Sequence, residues 1–294
     1  MKAIIVPTDF SDQADNAARY AVCLAKDLKR DVSLYHALFV PMEVPIADAG
    51  LWPLEDFSFL KDAATKQLRH LAGWLERTID DTEEDAADTF KPAIDYHSVI
   101  GPVTDVVMNV MADSKSGLVV MGMSGANGLS RFFMGSRSKD LVDHANFPVL
   151  LVPGCAVFKG IKKIIFATDL NTGDISVIRR LAGMAKSCKA EIRIYHITGE
   201  NYDKKGRLGK AEAFNEKLTE TVHYSNISYH HLRGMNVDNG LDWLCEHGNI
   251  DLLAMVHRPH TLLFRLLSNS HTHQLAGHIK IPLLVFPPEY NVTI

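Results

Sequence analysis

The chain states much of its sequence twice. "KAIIVPTDF" at 2–10 is answered by "KKIIFATDL" at 162–170, which sets Asp9 opposite Asp169, 160 positions later. "VSLYHAL" at 32–38 is answered by "IRIYHIT" at 192–198 with the same offset. From "GLVVMG" at 117–122 against "DLLAMV" at 251–256 the offset becomes 134, and it holds through 121–153 against 255–287. A repeat of this length is a whole domain, so any fold must be built from two similar units. The predicted domains are 1–154 and 160–294. The first carries about 26 extra residues between its second and third strands, as the change of offset shows.

Within each copy the apolar period switches between strand and helix. "AIIVPTD" is a short apolar run closed by a turn, the pattern of a strand buried on both faces. Ser11 is placed to cap a helix whose inner face is Ala14, Ala17, Ala18, Ala21, Val22, Ala25 and Leu28. "VSLYHAL" reads as strand two. Residues 40–60, with three prolines, read as a loop or lid. Ala64, Leu68, Leu71, Leu75 and Ile79 line one face of the next helix. "AIDYHSV" is strand three, Val103 to Met111 a helix, "LVVMG" strand four and "PVLLV" strand five. A helix begins near Ser136. Alternation of this kind predicts an α/β fold: two repeated doubly wound domains, each with a five-stranded parallel sheet. In such sheets ligands sit beyond the carboxyl ends of the strands, where Asp9, Ala37 and Gly122 fall.

Composition excludes several function classes. With 47 % hydrophobic and 22 % charged residues, both copies can bury a core. A net charge of −4 argues against nucleic acid as the partner. No apolar run reaches membrane-spanning length, and the start of the chain lacks the pattern of a signal peptide. The four cysteines are scattered and form no CxxC, as expected of reduced thiols in the cytoplasm. Neither a GxxxxGK loop nor a GxSxG elbow occurs, and no general base is paired with a nucleophile. The chain is therefore not expected to be an enzyme, slow ATP hydrolysis aside.

The segment "MGMSGANGLSRFFMGSRS" at 121–138 carries Gly122, Gly125, Gly135 and Ser136 in the pattern G-x2-G-x9-G-[S/T], between a strand and a helix. Free backbone N–H groups and the helix dipole can hold a phosphate there. Glycines would let the backbone come close to it. Ser136 and Ser138 can donate hydroxyl hydrogen bonds, and Arg137 can offset charge. The second copy replaces the three glycines with Val256, Pro259 and Asn269 but keeps Ser270. On this comparison the fold is not expected to need the glycines, which leaves a ligand as their reason in the first copy. The second copy is expected to bind no nucleotide, or to bind one differently. It is rich in histidine instead. If its loop folds back, His257, His260, His271 and His273 converge near Asp169 as candidate ligands of a transition metal, against the plainer reading of polar loop histidines.

Together with "VPTDFS" at 6–11 and "PVLLVP" at 148–153, the glycine pattern resembles the universal stress protein family, and the duplicated chain resembles its tandem members. The resemblance implies a fold of the adenine nucleotide alpha hydrolase-like kind. It also implies ATP or AMP, with or without Mg²⁺, bound in a regulatory and non-catalytic role. Carried over by position, Asp9 meets the adenosine and Ala37 flanks adenine. Met121 and Gly122 line base and ribose. Gly125, Gly135, Ser136, Arg137 and Ser138 hold the phosphates. Met123-Ser124 and Ala126 stand where many members carry a basic residue, so the loop has fewer cations than is common. Family domains pair through strand five. The same pairing is expected between the two copies here as a pseudo-dimer, with a homodimer of the whole chain left open. The other readings are a nucleotide-free interaction module, or a metal or small-ligand sensor built on the histidine-rich second copy.

Overall fold

The computed structural model describes residues 3–38, 54–80, 90–113, 117–123, 136–199, 208–258 and 281–288. The first repeat runs β1 (Ile4–Pro7), α1 (Asp12–Leu28), β2 (Val32–Leu38), α2 (Leu54–Asp80), β3 (Ile94–Ile100), α3 (Val103–Asp113), β4 (Val119–Met123), α4 (Ser136–His144) and β5 (Val149–Pro153). The second runs β6 (Lys163–Thr168), α5 (Asp174–Cys188), β7 (Glu191–Thr198), α6 (Leu208–Thr221), β8 (Ile227–Arg233), α7 (Val237–His247), β9 (Leu252–Val256) and β10 (Leu283–Phe286).

The strands form a single ten-stranded sheet in the order β3-β2-β1-β4-β5-β10-β9-β6-β7-β8. Within each repeat every pairing is parallel. The repeats meet through an antiparallel pair, with Leu283 opposite Leu151, Leu284 opposite Leu150 and Val285 opposite Val149. This is the strand-five pairing that the family resemblance implied. Leu150 and Leu284 join one hydrophobic layer, with α1, α2, α5 and α6. Leu151 and Leu283 join the other, with α3, α4 and α7. Both layers therefore run unbroken through the two repeats. All four leucines are fully buried, and each such burial stabilises by about 1.5–3 kcal/mol.

The helices follow from their apolar faces. Ser11 caps α1 by accepting from Ala14 N at 3.3 Å, and the predicted inner face is buried except for the half-buried Leu28. In α2 the five predicted inward residues are all buried. This helix starts at Leu54, which corrects the expected loop over 40–60. The reason is local: after Pro53 no further proline interrupts the chain, and helical apolar spacing resumes. The rest of that expected loop, 40–53, lies outside the described residues. Among the described residues no helix is long and apolar enough to cross a membrane.

Candidate functional site

In the first half of the sheet the order 3-2-1-4-5 reverses direction between β1 and β4. A crevice opens at such a switch point, because the connections leave the two strands toward opposite faces. Here it is a cleft of about 780 Å³, within the ordinary size of small-molecule sites.

Its floor is the turn after β1. Phe10 adopts φ 61°, a left-handed conformation that a bulky residue rarely takes. Two contacts hold it there: Phe10 N donates to Thr8 Oγ1 at 3.0 Å, and the Phe10 ring lies 4.4 Å from that of His36. His36 Nδ1 in turn lies 2.8 Å from the Thr8 carbonyl, which requires that Nδ1 carry the proton. The turn presents Asp9 at the mouth. Asp9 Oδ1 accepts from Ser11 N at 3.2 Å and from Ser11 Oγ at 2.6 Å. Asp9 Oδ2 lies 3.6 Å from a guanidinium nitrogen of Arg137.

The other walls come from chain-distant segments. Ala37 closes β2, Met121 and Gly122 close β4, Val103 opens α3, and Ser136, Arg137 and Ser138 open α4. The helix dipole and free N–H groups of α4 thus favour an anion at that end. Arg137 is the only lysine or arginine among the described lining residues. Seven of the nine residues expected at the site meet in this cleft: Asp9, Ala37, Met121, Gly122, Ser136, Arg137 and Ser138. Gly125 and Gly135 lie outside the described residues.

The reason for Gly122 differs from the one expected. A Cβ there would stand 2.6 Å from the carbonyl oxygen of Gln13 and 3.2 Å from Ala14 N. The glycine lets β4 pack against the first turn of α1, so in this copy the fold itself requires it, ligand or none. In the second copy the helix starts two positions later, at Asp174, and a buried Val256 is accommodated. Ser138 is also more internal than expected. It is 1 % exposed, and its hydroxyl donates to the Gly122 carbonyl at 3.2 Å.

Thr8, Ser11, Gln13, Ala14, His36 and Val103 also line the cleft and were not predicted. Their signal was positional, since each flanks a strand end or opens a helix. The Gly101-Pro102 step before Val103 marked such a place.

The second copy keeps the turn. Leu170 takes φ 62°, and its N–H donates to Thr168 Oγ1 at 2.9 Å. Around it the chemistry has changed. Asp174 is 1 % exposed and accepts from Thr168 Oγ1 at 2.7 Å and from Arg258. Burial raises its carboxyl above the ordinary range, while Arg258 and Thr168 pull it back. His196, buried at the end of β7, stacks on His231 with ring centres 4.9 Å apart. Desolvation first, then His231 and Lys210, push its imidazole down to about 4. Of the candidate metal ligands, His257 lies against Asp143 of α4, with Nε2 at 3.1 Å from Oδ1. His260, His271 and His273 lie outside the described residues. Among the described residues no group of three or more histidine, cysteine or acidic side chains is arranged to hold a metal.

A parallel sheet with helices on both faces, carrying in the first repeat a cleft at its switch point, defines the class: a doubly wound α/β protein whose fold occurs twice in one chain. The chain belongs to the universal stress protein family, whose model matches it over residues 1–153 and again over 160–287. Among curated proteins it is similar to Universal stress protein MJ0531 of Methanocaldococcus jannaschii, 26 % identical over 151 residues, which cover 51 % of this chain and 81 % of that one. Universal stress protein MJ0577 of the same organism is 24 % identical over 161 residues, covering 51 % and 94 %. Among solved structures, a universal stress protein from Archaeoglobus fulgidus shares the fold over 97 % of this chain and 98 % of its own, with a TM-score of 0.69 at 14 % identity. A protein described as a putative universal stress protein from Pseudomonas aeruginosa does so over 98 % and 94 %, with a TM-score of 0.58 at 13 % identity.

Proposed function

We propose that the first repeat, residues 1–154, binds an adenine nucleotide, ATP or AMP, and that the bound state regulates the protein without turnover. The observation that carries this reading is the convergence of Asp9, Ala37, Met121 and Gly122 with the N-terminus of α4 around one cleft of about 780 Å³. Apolar walls from Val103, Ala37 and Met121 suit a base. Asp9 suits a ribose hydroxyl or an adenine amine. The start of α4, with Ser136 and Arg137, suits phosphate. Gly125 and Gly135 belong to the same proposed phosphate loop by sequence. Among the described lining residues, Ser11 Oγ donates to Asp9 Oδ1 while also capping α1, a structural duty that favours a binding role over a catalytic one.

The test is calorimetric titration with AMP, and with ATP and Mg²⁺, of the wild type, Asp9→Ala and Gly125→Arg. Tight binding by the wild type that falls at least tenfold in both variants supports the site. Equal affinity in all three removes it. A phosphate-release assay run alongside should show no turnover.

A further inference from the structure

The two repeats can be superposed residue by residue from their own geometry. Phe10 and Leu170 share the left-handed turn, and Lys29 and Lys189 share the left-handed cap of α1 and α5 with the same bonding pattern. Ala14 therefore corresponds to Asp174. Ile5 pairs with Val119 in one copy and Ile165 with Leu253 in the other, so Ser124 corresponds to Arg258. An alanine that lines the first cleft has become a buried carboxylate, and a serine past β4 has become an arginine. The two new groups bind each other. Arg258 also reaches Asp169, the counterpart of Asp9, at 3.4 Å.

We propose that the second crevice is closed from within, with Arg258 as a tethered occupant that locks the β6–α5 turn in one arrangement. Its guanidinium spans the end of β6 and the start of α5, the ground whose counterparts in the first copy, Asp9 and Ala14, line the cleft. Asp169 Oδ1, which it contacts, also accepts from Asn171 N at 3.1 Å. Arg258 thereby fixes the turn as well as filling the space. Among the described residues the guanidinium faces the carboxylates of Asp169 and Asp174, which offset its attraction for an anion. Burial of Asp174 at 1 % exposure makes the pair obligatory, because a lone buried carboxylate is strongly disfavoured. The chain then works as one copy open to ligand and one held shut by its own side chain.

The test uses the full chain without nucleotide, so its outcome is independent of binding in the first repeat. Amide exchange over residues 170–175 and thermal melting are compared for the wild type, Arg258→Ala and Asp174→Ala/Arg258→Ala. The single variant should exchange about tenfold faster or more in this segment and melt roughly 5 °C lower or more at pH 7.5. The double variant should recover most of the melting temperature, since no unpaired carboxylate remains, yet keep the fast exchange, since the lock is gone. Should Arg258→Ala fail to fold, Arg258→Lys, with one ammonium for two carboxylates, should give intermediate exchange. Wild-type exchange in Arg258→Ala, or in Arg258→Lys where that variant stands in, overturns the proposal. So does a double variant that melts no higher than the single one, or that exchanges as slowly as the wild type.

Discussion

His257, following β9 of the second repeat, places Nε2 3.1 Å from Oδ1 of Asp143 near the end of α4 in the first. The helix that carries Ser136 and Arg137 into the first cleft is thereby tied at its other end to the second repeat. Burial pushes the His257 imidazole below its ordinary value, with Asp143 opposing the shift. At neutral pH the contact is an N–H donated by neutral imidazole to a carboxylate. Asp143→Ala should cost about 1 kcal/mol, read as a lower urea midpoint with an unchanged slope. A midpoint equal to wild type would show that the contact is not stabilising.

Buried histidines set an acid limit on the fold. The ordinary imidazole value of 6.5 falls to about 4 for His196 in the folded protein. The unfolded chain thus binds the proton first as pH drops. The stability that neutral His196 contributes is complete above about pH 6.5 and is lost progressively toward pH 4. His196→Gln should flatten the fall in denaturation midpoint across that window. An identical pH profile in the variant would assign the fall to other groups.

Gly122 makes a separate prediction about packing. The nearest obstacle to a side chain is the Gln13 carbonyl, a backbone atom that cannot rotate away. Gly122→Ala should destabilise by about 1–3 kcal/mol through overpacking, as measured by chemical denaturation in the absence of ligand. A variant as stable as wild type would mean that α1 yields at this point.

Arg137 and Asp9 should separate stability from binding. Their pair is exposed, with side-chain accessibilities of 66 % and 50 %, and exposed pairs are worth well under about 1 kcal/mol. Arg137→Ala should leave the melting temperature nearly unchanged. If the cleft holds a nucleotide, the same variant should lose affinity for AMP by about tenfold, a charge-assisted contact to phosphate being removed, while affinity for adenosine stays the same. Equal losses for AMP and adenosine would place Arg137 away from the phosphate.

The repeat, the alternation of strand and helix, and the strand ends at Asp9, Ala37 and Gly122 were legible in the sequence because each is a local or periodic signal. Two-faced burial leaves continuous apolar runs such as "PVLLV". A helix face leaves spacings such as Leu68, Leu71 and Leu75. A capping serine stands just before its helix. The other facts join segments far apart, where no period connects them. Gly122 needs to be glycine because a carbonyl from α1 lies against it, so comparing the copies by sequence credited a ligand with what packing requires. Asp174 and Arg258 lie 84 positions apart with no period to link them, and they pair only because the turn after β6 meets the chain leaving β9. The repeat and its periodicities set two doubly wound units and the strand ends at which their crevices would lie. The antiparallel register in which the units join, and the place of Arg258 inside one crevice, were settled by tertiary packing. Those outcomes depend on which distant backbones come within van der Waals and hydrogen-bond range.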